Sequence, residues 1–179
     1  MTKTTPSTTD SGDSGDDDPL LFSQPDINDG AEIYQLIKSC PPLDLNSNYV
    51  YLLLCAHFAQ SCIIVRKQHQ LVGFISAYIH PQKPHTLFVW QVAVHKDARG
   101  LGLAAQMVDQ LLQRPALQQV RYVETTVDPE NDASRRLFEK VAQNYRAPLQ
   151  ETPFFEAHHF VEPQVEPLLC IGPLQKNTL

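Results

Sequence analysis

Hydrophobic residues recur at helical spacing in four segments of the chain. Apolar positions over residues 33–40 lie at i, i+3, i+4 and i+7, which predicts a helix that ends at Pro41-Pro42. A second helix is predicted from a cap at residue 46 or 47 through residue 58. Because it is apolar almost all round, we expect it to be largely buried. Amphipathic helices are also predicted over residues 99–113 and 134–144.

Runs rich in β-branched and aromatic residues predict strands between and after these helices. Residues 61–66 and 71–80 predict a hairpin, because only four polar residues separate them. Strands are also predicted over residues 86–94 and 120–127. The last 30 residues are Pro-rich and predicted to be irregular, apart from one strand over residues 168–172. This order of elements predicts one domain of the mixed α/β (α+β) class.

Composition and charge narrow the class of protein. A chain of 179 residues with 42% hydrophobic and 19% charged residues is typical of one globular domain. Most of the net charge of -6 lies at the start, because residues 1–18 hold five of the 20 acids and one of the 14 bases. We therefore expect residues 1–19 to form a disordered acidic tail, with an interaction tail as the alternative, and residues 20–179 to form the domain. No basic stripe and no apolar run near the ~20 residues of a membrane span is present, which excludes nucleic-acid and membrane partners.

Cysteine and histidine usage gives no sign of a disulfide framework or a metal site. The four cysteines lie within or beside apolar segments and include no Cys-x-x-Cys pair, so buried free thiols are expected. His158 and His159 stand together without further ligands at fixed spacing, so no metal is predicted. The first residues are rich in Thr, Ser and Asp, unlike a signal peptide, so we expect a cytoplasmic protein.

A glycine-rich turn between the strand at 86–94 and the following helix is the strongest candidate site. The turn reads Arg99-Gly100-Leu101-Gly102-Leu103-Ala104. Unpaired N–H groups at a helix start attract an anion, glycine allows close approach, and Arg99 adds a positive charge. The turn therefore predicts a pyrophosphate cradle. A P-loop is excluded because no Gly-Lys-Ser/Thr follows, and a Rossmann site because the third glycine and the ribose acid are absent.

The same residues resemble a known superfamily. Arg99-x-x-Gly102-x-Ala104 is similar to the acetyl-CoA motif of the GCN5-related N-acetyltransferases, and residues 131–138 are similar to a second segment of that superfamily. The resemblance implies a central, mostly antiparallel mixed sheet with helices on both faces, and acetyl-CoA as co-substrate. It implies that the strand at 86–94 splays from the strand at 120–127, and that the backbone of Val92 and Val94 pairs with the pantetheine arm. The remaining implied CoA contacts are Asn131 and Ser134, for which helix capping is the alternative.

Further segments resemble the L-2,4-diaminobutyrate acetyltransferases of ectoine synthesis. They are residues 38–49, 88–94, 124–127 and 171–173, and the whole resemblance covers about residues 20–176. It implies transfer of the acetyl group to the γ-amine of L-2,4-diaminobutyrate, by a homodimer, in compatible-solute production under osmotic stress. The alternatives are a polyamine or protein N-acetyltransferase and a catalytically silent acyl-CoA-binding module.

Four residues are candidates for the substrate site. Glu124, an acid in a predicted central strand, is the candidate catalytic base or ammonium anchor, with an outward-facing residue or a salt bridge as the alternative. Asp44 is a candidate ammonium ligand or a turn residue. Trp90 is a candidate pocket wall or a core residue. Thr125 is the fourth candidate, and because Thr125 and Thr126 alternate across the strand, at most one should face the pocket.

Proton transfer to the departing thiolate has no predicted donor. The superfamily often has a tyrosine at the position of Phe138, and phenylalanine cannot donate a proton. Tyr145, a water molecule or unassisted departure are the options. Residues 154–159 are a candidate lid over the substrate or a packed irregular loop.

Overall fold

The computed structural model describes residues 18–176, so the predicted acidic tail lies outside the described residues except for its last two positions. Within this range the strands are β1 (Leu21–Ser23), β2 (Ile63–Lys67), β3 (Gln70–Ile79), β4 (Thr86–Val94), β5 (Tyr122–Thr126), β6 (Leu149–Phe155) and β7 (Glu166–Ile171). The α-helices are α1 (Gly30–Lys38), α2 (Asn48–His57), α3 (Leu103–Leu112) and α4 (Asp132–Asn144). None of these helices is long and apolar enough to cross a membrane.

All the strands join one sheet in the order β1-β2-β3-β4-β5-β7-β6. Every neighbouring pair is antiparallel except β4 and β5, which run parallel. The predicted hairpin is confirmed as β2–β3. Its two loop residues, Gln68 and His69, have φ values of 49° and 66°, which match the twist of a two-residue hairpin turn. The predicted mixed, mostly antiparallel sheet is therefore confirmed.

The helices cover both faces of the sheet, as predicted. On one face, α1 and α2 enclose a core with β2–β4 that includes Ile33, Tyr51 and Phe74. On the other face, α3 and α4 enclose the larger core, which includes Met107 and Val141. Neither α1 nor α2 packs extensively on β5, β7 and β6, so this part of the first face lies open beside the helices.

Two helices differ from the sequence predictions. The expectation that the second helix would be largely buried is wrong. Of its residues only Tyr51, Leu54 and Cys55 are buried, while Tyr49 is 67% exposed, because α2 meets α1 and the sheet with one side only. Helix α3 begins at Leu103 rather than at residue 99, because the glycines before it take positive φ values.

The C-terminal part contains a strand that the sequence does not predict. β6 pairs with β7 at the sheet edge, and nearly all of its residues are exposed, so no buried alternation marks it. Among the described residues, β1 forms the opposite edge of the sheet, spans three residues and pairs with β2 alone. The four cysteines are unpaired, but Cys170 is half-buried, in contrast to the three buried ones.

Candidate active site

An extra residue in β4 creates the site. Ser76 of β3 pairs with Gln91, but the next residue, Ala77, pairs with Val89, so Trp90 has no partner and forms a β-bulge. The bulge reverses which residues face the large core. Leu87 belongs to that core before the bulge and Val92 packs against it after the bulge, although their separation is an odd number of residues. Trp90 is pushed outward and is 44% exposed.

The strands β4 and β5 separate just before this bulge. In the part of the chain that the structure describes, their pairing ends at Phe88 and Glu124. His95 donates its N–H to Val72 on β3 at 2.8 Å, which fixes the alternation of hydrogen bonds along β4. Val92 and Val94 therefore occupy the positions whose N–H and C=O groups point away from β3, towards the gap beside β5.

A cavity of about 1200 Å³ opens at this gap. Its walls come from residues 42–44, β3 and the loop after it, β4, β5 and the segment after it, the start of α4 and residues 154–168. The predicted site residues that line it are Asp44, Trp90, Val92, Glu124, Thr125, Asn131 and Ser134. The structure thus brings the predicted substrate residues and part of the predicted cofactor set around one space.

Glu124 lies buried in the cavity wall, with a residue exposure of 5%. Its Oε1 accepts a hydrogen bond from Lys83 Nζ at 2.7 Å. The salt bridge considered as an alternative is therefore present, and it coexists with a position in the cavity. Burial and the charge of Glu124 raise the pKa of the Tyr78 phenol, which lies in the same row across the sheet.

The other substrate candidates also take defined places. Asp44 is exposed, and its backbone carbonyl accepts a hydrogen bond from Gln91 Nε2 at 2.7 Å, which ties this loop to β4. Trp90 walls the cavity, so the interpretation of Trp90 as a core residue is wrong. Thr125 and Thr126 both line the cavity. The expectation that at most one would do so is wrong, because the missing β4 neighbour opens the edge of β5 as well as its face.

The glycine-rich turn forms a separate surface beyond the end of β4. Gly100 and Gly102 have φ values of 82° and 69°, and a Cβ atom at either position would meet no atom within 4 Å. Gly102 caps α3 without a side-chain hydrogen bond, so the first N–H groups of the helix, including those of Leu103 and Ala104, have no partner within the helix. Arg99 donates from Nε to the Val94 carbonyl at 3.0 Å and so braces the turn.

The cofactor candidates thus fall into two places. The cavity walls include Asn131 and Ser134. The candidates that lie outside these walls are Val94, Arg99, Gly100, Gly102, Leu103 and Ala104. Asn131 caps α4, because its Oδ1 accepts a hydrogen bond from the N–H of Ser134 at 3.1 Å. The capping alternative is therefore present at Asn131, whereas Ser134 supplies only its backbone N–H to this cap, and both residues also lie in the cavity wall.

The two aromatic residues considered for proton transfer to the thiolate, Phe138 and Tyr145, lie in different places. Phe138 is buried and lines the cavity. Tyr145 does not line it and lies against Asp109 instead, where burial and then the Asp109 charge raise the pKa of its phenol. Tyr145 as the proton donor is therefore wrong. The rings of His158 and His159 have centroids 4.0 Å apart and planes tilted by 47°, and the described residues contain no cluster of His, Cys, Asp and Glu suited to a metal ion.

Sequence reasoning missed several cavity residues. Lys83 lies in the loop before β4 and had no motif to mark it, while Gln91 stands within a segment noted only for its resemblance. Phe160 was also missed, and it lines the cavity together with Phe154 and Phe155 of the candidate lid at 154–159, so the C-terminal region contributes a wall of aromatic rings. Their positions depend on β6, which the sequence pattern does not reveal.

Known proteins match this chain over most of its length. The acetyltransferase (GNAT) family profile matches residues 30–142. The L-2,4-diaminobutyric acid acetyltransferase of Bordetella parapertussis is 49% identical over 152 residues, which are 83% of this chain and 82% of that protein. The enzyme of the same name from Halomonas elongata is 42% identical over 163 residues, which are 90% of this chain and 85% of that protein.

Solved structures extend the match to the fold. Diaminobutyrate acetyltransferase EctA from Paenibacillus lautus, in complex with its substrate L-2,4-diaminobutyric acid and coenzyme A, is 40% identical with a TM-score of 0.85. The alignment covers 91% of this chain and 99% of that one. Ard1 from Thermoplasma volcanium, at 15% identity and a TM-score of 0.69, shares the fold alone.

Proposed function

Because the chain belongs to the acetyltransferase (GNAT) family, we propose that it transfers the acetyl group of acetyl-CoA to the γ-amine of L-2,4-diaminobutyrate. The observation that carries this proposal is the match in fold and sequence, over nearly the whole chain, to an acetyltransferase structure that holds this diamine and coenzyme A. The same reaction is the one that the sequence resemblance assigns to ectoine synthesis.

The cofactor half of the proposal rests on free backbone N–H groups. The turn from Arg99 to Ala104 offers the start of α3 to the pyrophosphate, and glycine at 100 and 102 leaves the space above it open. The N–H of Val92 points into the gap between β4 and β5, where it would polarise the thioester carbonyl. A preorganised donor of this kind lowers a barrier by about 3 kcal/mol. Val94, Asn131 and Ser134 are the further proposed contacts of the CoA arm.

The substrate half rests on the charge and shape of the cavity. A diamine carrying one carboxylate is cationic, and Asp44 and Glu124 supply negative charge to the cavity, with Trp90 and Thr125 in the wall beside them. We assign Glu124 the main role because it is the buried carboxylate of the set. The attacking γ-amine must lose its proton before it reacts, since an aliphatic amine has an ordinary pKa near 10. Phe138 gives no proton to the thiolate, and the acidity of a thiol allows unassisted departure.

Several finer assignments are proposals from the family resemblance. We propose that residues 20–179 form the acetyltransferase domain, that two copies form a homodimer, and that the enzyme acts in the cytoplasm under osmotic stress. Sedimentation of the purified chain at several concentrations tests the dimer. A single monomeric species at the concentration used for catalysis would contradict it.

The function is tested by locating the acetyl group. Purified protein is incubated with acetyl-CoA and L-2,4-diaminobutyrate, and tandem mass spectrometry of the product distinguishes γ- from α-acetylation. Parallel incubations contain a polyamine, lysine and a peptide with a free N-terminus. We expect rapid formation of the γ-acetyl product. Acetylation of a polyamine or peptide but not of diaminobutyrate would replace this function, and CoA binding with no turnover on any amine would support the silent module.

A further inference from the structure

An ion pair lies in the wall of the cavity. Lys83 Nζ lies 2.7 Å from Glu124 Oε1, and both residues line the cavity. The Glu124 side chain is 7% exposed, whereas that of Lys83 is 50% exposed. The carboxylate therefore sits in the wall, and the ammonium group of Lys83 keeps a part of its surface available to a second anion.

The loop that carries Lys83 is held in place by its own backbone. The N–H of Lys83 donates to the His80 carbonyl at 3.0 Å, and the Lys83 carbonyl accepts from Thr86 at 2.9 Å. His80 also donates its N–H to the Thr86 carbonyl at 2.9 Å, which closes the base of the loop. Pro81 and Pro84 flank the loop residues and restrict φ on both sides. Lys83 is thus presented from a constrained turn towards Glu124, which is 41 residues away in the chain.

Of the two strong bases among the described lining residues, Lys83 is the one that contacts Glu124. Among the lining residues that the structure describes, the second strong base is Arg136, which lies on α4 next to Asp132 at 3.9 Å. Glu166 accepts a hydrogen bond from Thr126 Oγ1 at 2.6 Å. A carboxylate that enters the cavity near Glu124 therefore meets one fixed positive charge, that of Lys83.

An α-amino acid carries the complementary pair of charges. Its ammonium and carboxylate groups are attached to the same carbon, and they match a carboxylate and an ammonium that already lie side by side. We propose that Lys83 binds the α-carboxylate of L-2,4-diaminobutyrate while Glu124 binds its α-ammonium group. This inference rests on the proposed function and names the residue pair that recognises the amino-acid end of the substrate.

The strand geometry places this pair at a suitable distance from the reaction. Glu124 pairs with Phe88 across the sheet. Val92 follows Phe88 along β4 by about three residues if the bulged residue is not counted. That distance is about 10 Å at the usual rise per residue. An α-end held at Glu124 therefore directs the γ-amine, two methylene groups away, towards the gap where Val92 points. The α-amine stays protonated against Glu124, which accounts for selection of the γ-amine.

The test removes the carboxylate from the substrate and the charge from the protein. Lys83→Met and wild type are compared on L-2,4-diaminobutyrate and on 1,3-diaminopropane, which is the same diamine without the carboxylate. Where turnover of 1,3-diaminopropane is too slow, its inhibition constant against L-2,4-diaminobutyrate is measured instead. Lys96→Met, at an exposed lysine outside the cavity walls, is the matched control. Lys83→Arg tests rescue of the positive charge.

Loss of a hydrogen bond between charged groups corresponds to roughly 10- to 150-fold in binding. We expect Lys83→Met to raise KM for L-2,4-diaminobutyrate by about 30-fold, with kcat and the KM for acetyl-CoA changed less than threefold. We expect the 1,3-diaminopropane value to stay within threefold of wild type, and Lys83→Arg to recover most of the loss.

Three results would overturn the inference. An equal loss on both amines would mean that Lys83 acts only through Glu124, and no loss on either would mean that it does not contact the substrate. If the variant does not fold, the test uses the wild-type protein alone. The inference then requires that 1,3-diaminopropane bind at least tenfold more weakly than L-2,4-diaminobutyrate. Equal binding of the two amines refutes the role of Lys83. A wild-type protein that does not acetylate L-2,4-diaminobutyrate at all would refute the proposed function itself.

Discussion

Replacement of Gly102 by valine should damage cofactor binding far more than folding. Gly102 has φ 69° and ψ 15° at the cap of α3, and its missing Cβ would meet no atom within 4 Å. The valine therefore causes no clash, and the folding cost is that of a left-handed backbone, about 1–2 kcal/mol. For a domain of this size we expect a fall in Tm of roughly 2–8 °C.

The effect on CoA is larger because the new side chain occupies the space that a phosphate needs. The N–H groups of Leu103 and Ala104 lie at this helix start without partners within the helix. Two hydrogen bonds to a charged group contribute roughly 1.5–3 kcal/mol each. Their loss raises the Kd for CoA by roughly 10²- to 10⁴-fold.

Calorimetric titration with CoA, paired with thermal unfolding, separates the two effects. Arg146 is the matched control, because it also has a positive φ, of 45°, and is exposed at the far end of α4. Arg146→Val should lose less stability than Gly102→Val, because arginine already carries the cost of a Cβ in the left-handed region, and should keep wild-type affinity for CoA. If folded Gly102→Val binds CoA within threefold of wild type, the cradle is not the pyrophosphate site.

Three further predictions concern other parts of the molecule. Glu124→Gln should lower kcat/KM for L-2,4-diaminobutyrate by about 10- to 100-fold and leave acetyl-CoA affinity within twofold, because the lost interaction is with a charged amine. Steady-state kinetics and CoA titration measure the two effects, and equal losses in both would contradict the assignment. Arg114→Met should lower Tm by roughly 4–8 °C, corresponding to about 2 kcal/mol, because the guanidinium bonds the carbonyls of Ser23, Gln60 and Cys62 at 3.1, 3.1 and 2.6 Å; an unchanged melting curve would show that these bonds do not join β1 to β2. Burial raises the pKa of the Cys55 thiol from 9.0 to about 12 and that of Cys62 to about 11, so their contribution to stability is complete below pH 9 and is lost as pH rises towards 11–12. Urea unfolding between pH 8 and 11 should show this decline, and it should be smaller in Cys62→Ser, whose hydroxyl can still donate to the Ala77 carbonyl.

Local patterns predicted the elements whose own residues are buried. The residues from 86 to 94 are nearly all apolar and rich in β-branched and aromatic side chains, and β4 spans the predicted range. By contrast, β6 is exposed along nearly its whole length and contains Pro153 and Glu151, so its pairing with β7 comes from tertiary contacts rather than from its sequence. The periodicity of hydrophobic residues does not identify exposed edge strands of this kind.

The same distinction applies to the candidate site. The turn from Arg99 to Ala104 carries its chemistry in consecutive residues, so the sequence alone revealed it. The contact between Lys83 and Glu124 spans 41 residues and exists because β4 and β5 lie next to each other. Gln91 likewise reaches the carbonyl of Asp44 across 47 residues. Neither pair has a spacing that a motif could record.

The bulge at Trp90 shapes the hydrophobic core and the cavity at the same time. Without the bulge, if Trp90 took a regular strand position, the alternation that buries Leu87 and Val89 would continue to Gln91 and direct its polar side chain into the large core. With it, Val92 packs against that core, and Gln91 is free to hold the Asp44 loop over the cavity. One inserted residue therefore keeps the core apolar on one face of β4 and assembles polar groups on the other, at the level where the strand parts from β5.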